Sequence, residues 1–307
     1  MKRKTLPNSR LDAPNVILGL MRIADLSDDQ IRDLIRTARD AGIDYFDHAD
    51  IYGNHLHSSE ERFAQAMQLS TAERAEVTIQ TKAGIVRGGG YYDHSYDYLM
   101  GQVEGSLRAL QTDYIDVLLL HRPDALVEPD EVARVFDDLH AAGKVRHFGV
   151  SNHTPGQIEL LKTAVNQPII VNQMQLSITH ASMVAQGIAA NMAHDQAVVR
   201  DNGVVDYCRI NTITIQAWSP FQSNGGVLFD RNAQPELNRV IDELAAEYEV
   251  PAEAIATAWI TRHPANMQVV LGTTTPQRID AAAQGSDLSL TRAHWYALLK
   301  AAGWIAP

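Results

Sequence analysis

The residues able to do chemistry in this chain stand directly behind short apolar runs. The run IDYF (43–46) leads into Asp47 and, through the stretch FDHADIYG, to Tyr52 and Gly53. Lys82 follows VTIQT (77–81), His121 and Arg122 follow IDVLLL (115–120), and Ser151 and Asn152 follow VRHFGV (145–150). Gln173 ends IIVNQ (169–173), Trp218 and Ser219 close ITIQAW (213–218), and Gly272 and Thr273 close VVLG (269–272). Each has an ordinary structural role when taken singly. A tyrosine behind a strand packs, a lysine or aspartate forms an ion pair, and a histidine satisfies a carbonyl. As a set, a lysine, a histidine, an amide pair and a tryptophan behind successive runs suit the mouth of a cofactor site, provided the runs are gathered side by side.

The elements that must gather them are legible. With VILGLMRI (16–23), the apolar, β-branched runs number eight, and several lack strict alternation, as expected of parallel strands covered on both sides. Helical patterns lie between them. In 27–42, Ser27 and Gln30 form a capping box, Ile31, Leu34, Ile35 and Ala38 share a face, and Gly42 follows the end. The segment 130–143 repeats this design with Val132, Val135, Phe136, Leu139 and Gly143, and Thr154, Pro155 and Gln157 open another helix. Further helices are predicted over 237–248, 251–262 and 276–283, with an extra one over 291–302. Strand and helix alternate throughout, which predicts a parallel α/β fold. Eight units, and no G-x-G-x-x-G behind the first run, favour a (β/α)8 TIM barrel, a single domain over 1–307, above a doubly wound sheet. In such a barrel the site lies where the strands end.

The combination Asp47-x-Ala-x-x-Tyr52-Gly53, Lys82 at the third strand end, Leu-Leu-Leu-His121, Gly-Val-Ser151-Asn152, Asn-Gln173 and Gly272-Thr273-x4-Arg278-Ile resembles the aldo-keto reductase family. The resemblance covers nearly the whole chain, and the wordings DHADIYG and GKVRHFGVSN look most like a bacterial, cytoplasmic branch. It implies reduction of an aldehyde or ketone by NADP(H), with the tetrad Asp47, Tyr52, Lys82 and His121 and with Tyr52 as general acid. A free phenol titrates near roughly 10 and is a weak acid near pH 7. An ammonium about 4 Å away contributes on the order of 4 kcal/mol at an effective dielectric near 20, enough to lower that pKa by as much as roughly three. Lys82 is expected to do so, with Asp47 keeping it charged and His121 bonding the substrate oxygen or relaying a proton. The resemblance further implies that Ser151, Asn152 and Gln173 hold the nicotinamide carboxamide and that Trp218 stacks on its ring. The loop 219–234, with Ser219, Phe221, Ser223, Asn224, Gly225 and Gly226, would cover the pyrophosphate. Thr273, Thr274 and Arg278, at a helix start, would take the adenosine 2'-phosphate. Some members carry a lysine where this chain has Gly272, so NAD(H) is expected to be tolerated beside NADP(H).

Other features are weaker. His55-x-His57 lacks a third metal ligand and reads as a solvated loop, with no metal expected. The segment RGGGYYDHSYDY (87–98) reads as a lid or wall of the substrate pocket or as a plain surface loop. Few residues follow the last helix, so no long C-terminal loop is expected to close the pocket. The 26 Lys and Arg against 37 Asp and Glu give a net charge of -11, which disfavours broad contact with nucleic acid or an anionic membrane and leaves a small-molecule substrate as the expected partner. Cys208, the single cysteine, cannot form an internal disulfide, and the basic N-terminus is broken by Asp12, Pro14 and Asn15, so a cytoplasmic protein is expected. Two other functions stay open: an NADP(H)-binding redox sensor or accessory subunit with little turnover, and a Schiff-base aldolase using Lys82.

Overall fold

A computed structural model describes residues 1–188, 203–223 and 226–304. All eight predicted strands are present, and we number them β1 (Val16–Gly19), β2 (Tyr45–Asp47), β3 (Thr78–Ala83), β4 (Ile115–Leu120), β5 (Val145–Ser151), β6 (Ile169–Gln175), β7 (Thr214–Trp218) and β8 (Gln268–Leu271). They form a closed parallel barrel, sealed where Val269 of β8 pairs with Val16 of β1. Every strand therefore ends on the same face, which is what brings residues 47 to 273 together.

Alternation along the strands divides the core in two. On β4, Leu118 and Leu120 belong to the large apolar cluster shared with the helices, whereas Val117 and Leu119 belong to a smaller one with Ile17, Tyr45, Val171 and Val270. An antiparallel hairpin pairing Arg3–Thr5 with Asp12–Pro14 adds Leu6 and Ala13 to the smaller cluster. Gly149 is needed in β5, because a Cβ there would lie 2.7 Å from the Val171 carbonyl oxygen.

The predicted helices form with small shifts at their ends. Helix Asp28–Asp40 carries the Ser27–Gln30 capping box and buries Ile31, Leu34, Ile35 and Ala38, the larger side chains contributing roughly 1.5 to 3 kcal/mol each. Helices Pro129–Ala141, Pro155–Lys162, Pro235–Tyr248, Ala252–Thr261 and Pro276–Ala283 follow, and the extra helix, Arg292–Ala301, stacks Trp295 on Trp259. Helices Ser58–Met67, Thr71–Ala75, Tyr96–Leu110, Ser182–Ile188 and Val204–Ile210 escaped the sequence reading. The second of these carried a usable signal, since Ser70 and Glu73 form a capping box. In Tyr96–Leu110, Gly101 and Gly105 obscured the pattern, and Gly105 is required because any side chain there would collide with the His57 ring. Among the described residues no helix is long and apolar enough to cross a membrane.

Candidate active site

Tyr52 does not sit on β2 itself but five residues beyond its end, on a turn held from three sides. Asp50 N–H donates to the Lys82 carbonyl (3.1 Å), Tyr52 N–H donates to Ala49 O (3.1 Å), and Ser59 N–H donates to Tyr52 O (3.1 Å). Gly53 lets the chain leave at φ 91°, where a Cβ would lie 2.8 Å from Ser58 Oγ. From outside, Arg87 donates to the carbonyls of Ile51 and Gly53. The glycine-rich segment 87–98 thus braces the Tyr52 turn, and it does not line the central cavity. Its last residues, from Tyr96 on, begin a helix.

Lys82 is fully buried at the end of β3, and its three N–H donors are all taken. Nζ donates to Asp47 Oδ2 (2.7 Å), to His48 O (2.7 Å) and to the Tyr52 hydroxyl (3.1 Å). Burial disfavours its ammonium, but Asp47 and Tyr52 outweigh that, so its pKa is raised. A buried lysine kept protonated is no Schiff-base nucleophile, which argues against the aldolase alternative. Asp47 is positioned in turn by Gln80 Nε2 (2.6 Å) and Gln173 Nε2 (3.1 Å) at its Oδ1.

The expected effect of Lys82 on the phenol is corrected. Tyr52 has a raised pKa: its burial dominates, and Asp47 and Asp50 act against the pull of Lys82. Asp47 offsets part of the field that Lys82 exerts on the phenol. The hydroxyl is held as a proton carrier, with an N–H donor already aimed at its oxygen. The His121 ring meets the Tyr52 ring edge-on, 5.8 Å between centroids. Burial, with help from Lys82 and Arg122, holds that imidazole well below its usual pKa, so it is neutral at pH 7.

A cavity of about 540 Å3 is lined by Asp47, Tyr52, His121, Ser151, Asn152, Gln173, Trp218, Ser219, Phe221, Gly272, Thr273, Thr274 and Arg278. Of the expected catalytic residues Lys82 lies behind its wall, and Ser223 of the expected loop does not line it. Asn152 and Ser219 adopt left-handed backbone conformations (φ 61° and 53°), which asparagine tolerates better than serine. Asn152 is tied into the wall: Trp218 Nε1 donates to its Oδ1 (3.2 Å), and its Nδ2 donates to Ser151 Oγ (2.8 Å). Of the loop behind Trp218, Asn224 and Gly225 lie outside the described residues, while Gln222–Ser223 pairs with Gly226–Val227. Thr275 caps helix Pro276–Ala283 without a side-chain bond, and Arg278 projects from its first turn.

Several groups were missed in the sequence. Beneath Asp47, Gln80, Gln216 and Gln268 join Tyr45 in a buried network, with Gln80 Nε2 donating to Gln216 Oε1 (2.8 Å) and Gln216 Nε2 donating to Gln268 Oε1 (3.1 Å). A glutamine inside each of the apolar runs of β3 and β7 was the available signal. Asp50, fully buried, is pushed up to about 8 by burial and by Glu60, against the opposing pull of the Ile51 N–H and Lys82. His57 is no solvated loop residue: its Nδ1 lies 2.6 Å from buried Glu60, and Thr81 Oγ1 donates to the other Glu60 oxygen (2.5 Å). His55 is exposed beside Glu61, as expected.

A closed (β/α)8 barrel with a phenol, a buried Lys–Asp pair and an imidazole at its mouth has direct counterparts. Residues 15–302 match the model of the Aldo/keto reductase family, and the chain belongs to that family, making it an oxidoreductase of carbonyl chemistry. It is similar to the oxidoreductase YdhF of Escherichia coli (33% identical, covering 98% of each chain) and to a 6-dehydroglucose reductase of Agrobacterium fabrum (32%, covering 95% of each). Among solved structures, the thermostable aldo-keto reductase Tm1743 superposes with a TM-score of 0.78 at 22% identity, covering 98% of this chain and all of that one.

Proposed function

We propose that this chain, working as one domain over 1–307 in the cytoplasm, reduces an aldehyde or ketone to an alcohol with NADPH and that Tyr52 supplies the proton. The observation that carries the reading is the Tyr52 hydroxyl at the cavity wall, protonated, with a charged N–H donor 3.1 Å behind its oxygen. A bound reduced nicotinamide supplies the hydride. The carbonyl oxygen, as it gains negative charge, takes the Tyr52 proton, because an alkoxide is far more basic than a phenolate. Lys82 stabilises the phenolate that forms, and Asp47 keeps Lys82 protonated throughout. His121, being neutral, positions the carbonyl oxygen by a hydrogen bond rather than delivering a full proton.

The cavity suits such a cofactor at both ends. Ser151, Asn152 and Gln173 offer neutral donors and acceptors to a carboxamide, and Gln173 has its Nε2 engaged by Asp47 and Gln216 (3.2 Å), leaving Oε1 to accept. Trp218 offers an indole face. At the opposite end Arg278 has no ion pair among the described residues, and Arg22 donates from Nη1 to Gly272 O (2.9 Å), bringing a cation to the place where a lysine is missing. Two cations beside a helix start favour a 2'-phosphate and hence NADPH, with NADH accepted less well.

NADPH oxidation measured with a panel of aldehydes, ketones and a dehydrosugar tests the reading. Tyr52→Phe should lower turnover at least about a hundredfold with nearly unchanged NADPH affinity. Tight NADPH binding by wild type without turnover across the panel would favour the sensor.

A further inference from the structure

Three arginines line the central cavity, and they do not share one place. Arg22, bonded to Gly272 O, and Arg278, in the first turn of helix Pro276–Ala283, stand at the β8 side. Arg122 stands at the end of β4, directly after His121 and near enough to help keep its imidazole neutral. As a residue Arg122 is half-buried, and its guanidinium makes no hydrogen bond or ion pair with any described residue. Asp124, two residues on, does not answer it, since its Oδ2 accepts from His94 N–H (3.1 Å) and its Oδ1 from Leu126 N–H (2.8 Å). A second cavity of about 300 Å3 shares Arg122, Asn152 and Trp218 with the first and adds the polar side chains of Thr154, Gln175 and His180. Arg122 stands on the seam between the two.

A guanidinium presents five donors in a planar fork matched to a carboxylate or phosphate, and one at a cavity wall with no acceptor among the described residues is open to such a group. A chain with net charge -11 repels small anions at long range, so capture of one requires a local cation of this kind. We infer that Arg122 reads the substrate: it receives an anionic group at the far end of the carbonyl compound, whose polar tail occupies the second cavity. The inference rests on the reductase reading above and adds its substrate class, carbonyl compounds bearing a carboxylate or a phosphate.

Matched pairs test it: 4-carboxybenzaldehyde against benzaldehyde, D-glucuronate against D-glucose, and glyceraldehyde 3-phosphate against glyceraldehyde. Wild type should favour the anionic member in kcat/KM by about ten- to a hundredfold, and Arg122→Ala should bring that ratio near one, mainly through KM. Arg122→Lys, which keeps the charge and loses the fork, should retain part of the preference and remains usable if the alanine variant folds poorly. Binding of benzoate in the presence of NADPH, read by tryptophan fluorescence, should weaken by the same factor without any turnover. Preference confined to the carboxylate pairs, or to the phosphate pair, would support the inference and identify the anion. Equal use of both members by wild type, or a ratio untouched by either substitution, would overturn it while the reductase reading stood. Absence of turnover with every aldehyde would instead defeat the reductase reading, and benzoate binding would still decide for or against Arg122.

Discussion

Replacing Lys82 by methionine separates its two roles, counterion of Asp47 and hydrogen-bond donor to Tyr52. With Nζ 3.1 Å from the phenol oxygen, the ammonium stabilises a phenolate by at most about 5 kcal/mol at an effective dielectric near 20. If roughly half of that is realised when the proton is half transferred, turnover falls by nearly a hundredfold. The same change strands Asp47 as a buried carboxylate without a cation, which costs about 3 to 5 kcal/mol of stability. Because the Lys82 pKa is raised, its stabilisation is present through neutral pH and lost only as pH rises through that raised value, so the loss should be the same at pH 6 and pH 9. The double variant Lys82→Met with Asp47→Asn leaves neither charge buried and keeps an oxygen for Gln80 and Gln173, so it should regain most of the lost stability. It should not regain turnover. Steady-state NADPH oxidation and thermal unfolding of the three proteins measure both effects. Full turnover in Lys82→Met, or recovery of turnover together with stability in the double variant, would show that Lys82 serves the fold alone.

Arg278→Ala should weaken NADPH about ten- to a hundredfold and NADH by less than about threefold, with the NADPH loss shrinking in high salt; equal losses in titrations of both cofactors would make Arg278 a structural residue. Trp218→Ala should weaken NADPH and NADH alike, since an indole face does not sense the 2'-phosphate and its bond to Asn152 serves both; unchanged affinity for both removes Trp218 from the site. Asp50 binds its proton more tightly folded than unfolded, so stability is lost as pH rises from about 4 towards its raised value near 8. Asp50→Asn should therefore gain on wild type by up to about 1.4 kcal/mol per pH unit between pH 5 and 8, and a melting-temperature difference that stays flat over that range would show that Asp50 is not the protonated buried acid.

Much of the fold was legible because its signals are local. The capping boxes Ser27–Gln30 and Thr154–Gln157, Pro276 behind Thr275, and the eight apolar runs are read within a few residues, and each marks an element. The site's membership followed from topology: once the runs are parallel strands of a closed barrel, Asp47, Lys82, His121, Asn152, Gln173, Trp218 and Thr273 must share a face. What those residues do to one another was not legible. The direction of the Tyr52 pKa depends on how completely its surroundings are dry and on Asp47 opposing Lys82, both set by contacts between two strands and the turn that carries Tyr52. His57 reads as a loop residue until Gly105 of a distant helix admits its ring beside Glu60, and Arg22 meets Gly272 only because β1 closes on β8. By itself the sequence determined the eight strands, the helices with clear caps and apolar faces, and which strand ends meet at the mouth, since periodicity and capping act over a turn or two. Only the tertiary structure decided which of those groups are charged and which cations are already spent, because burial and pairwise distance arise between residues that barrel closure alone brings together.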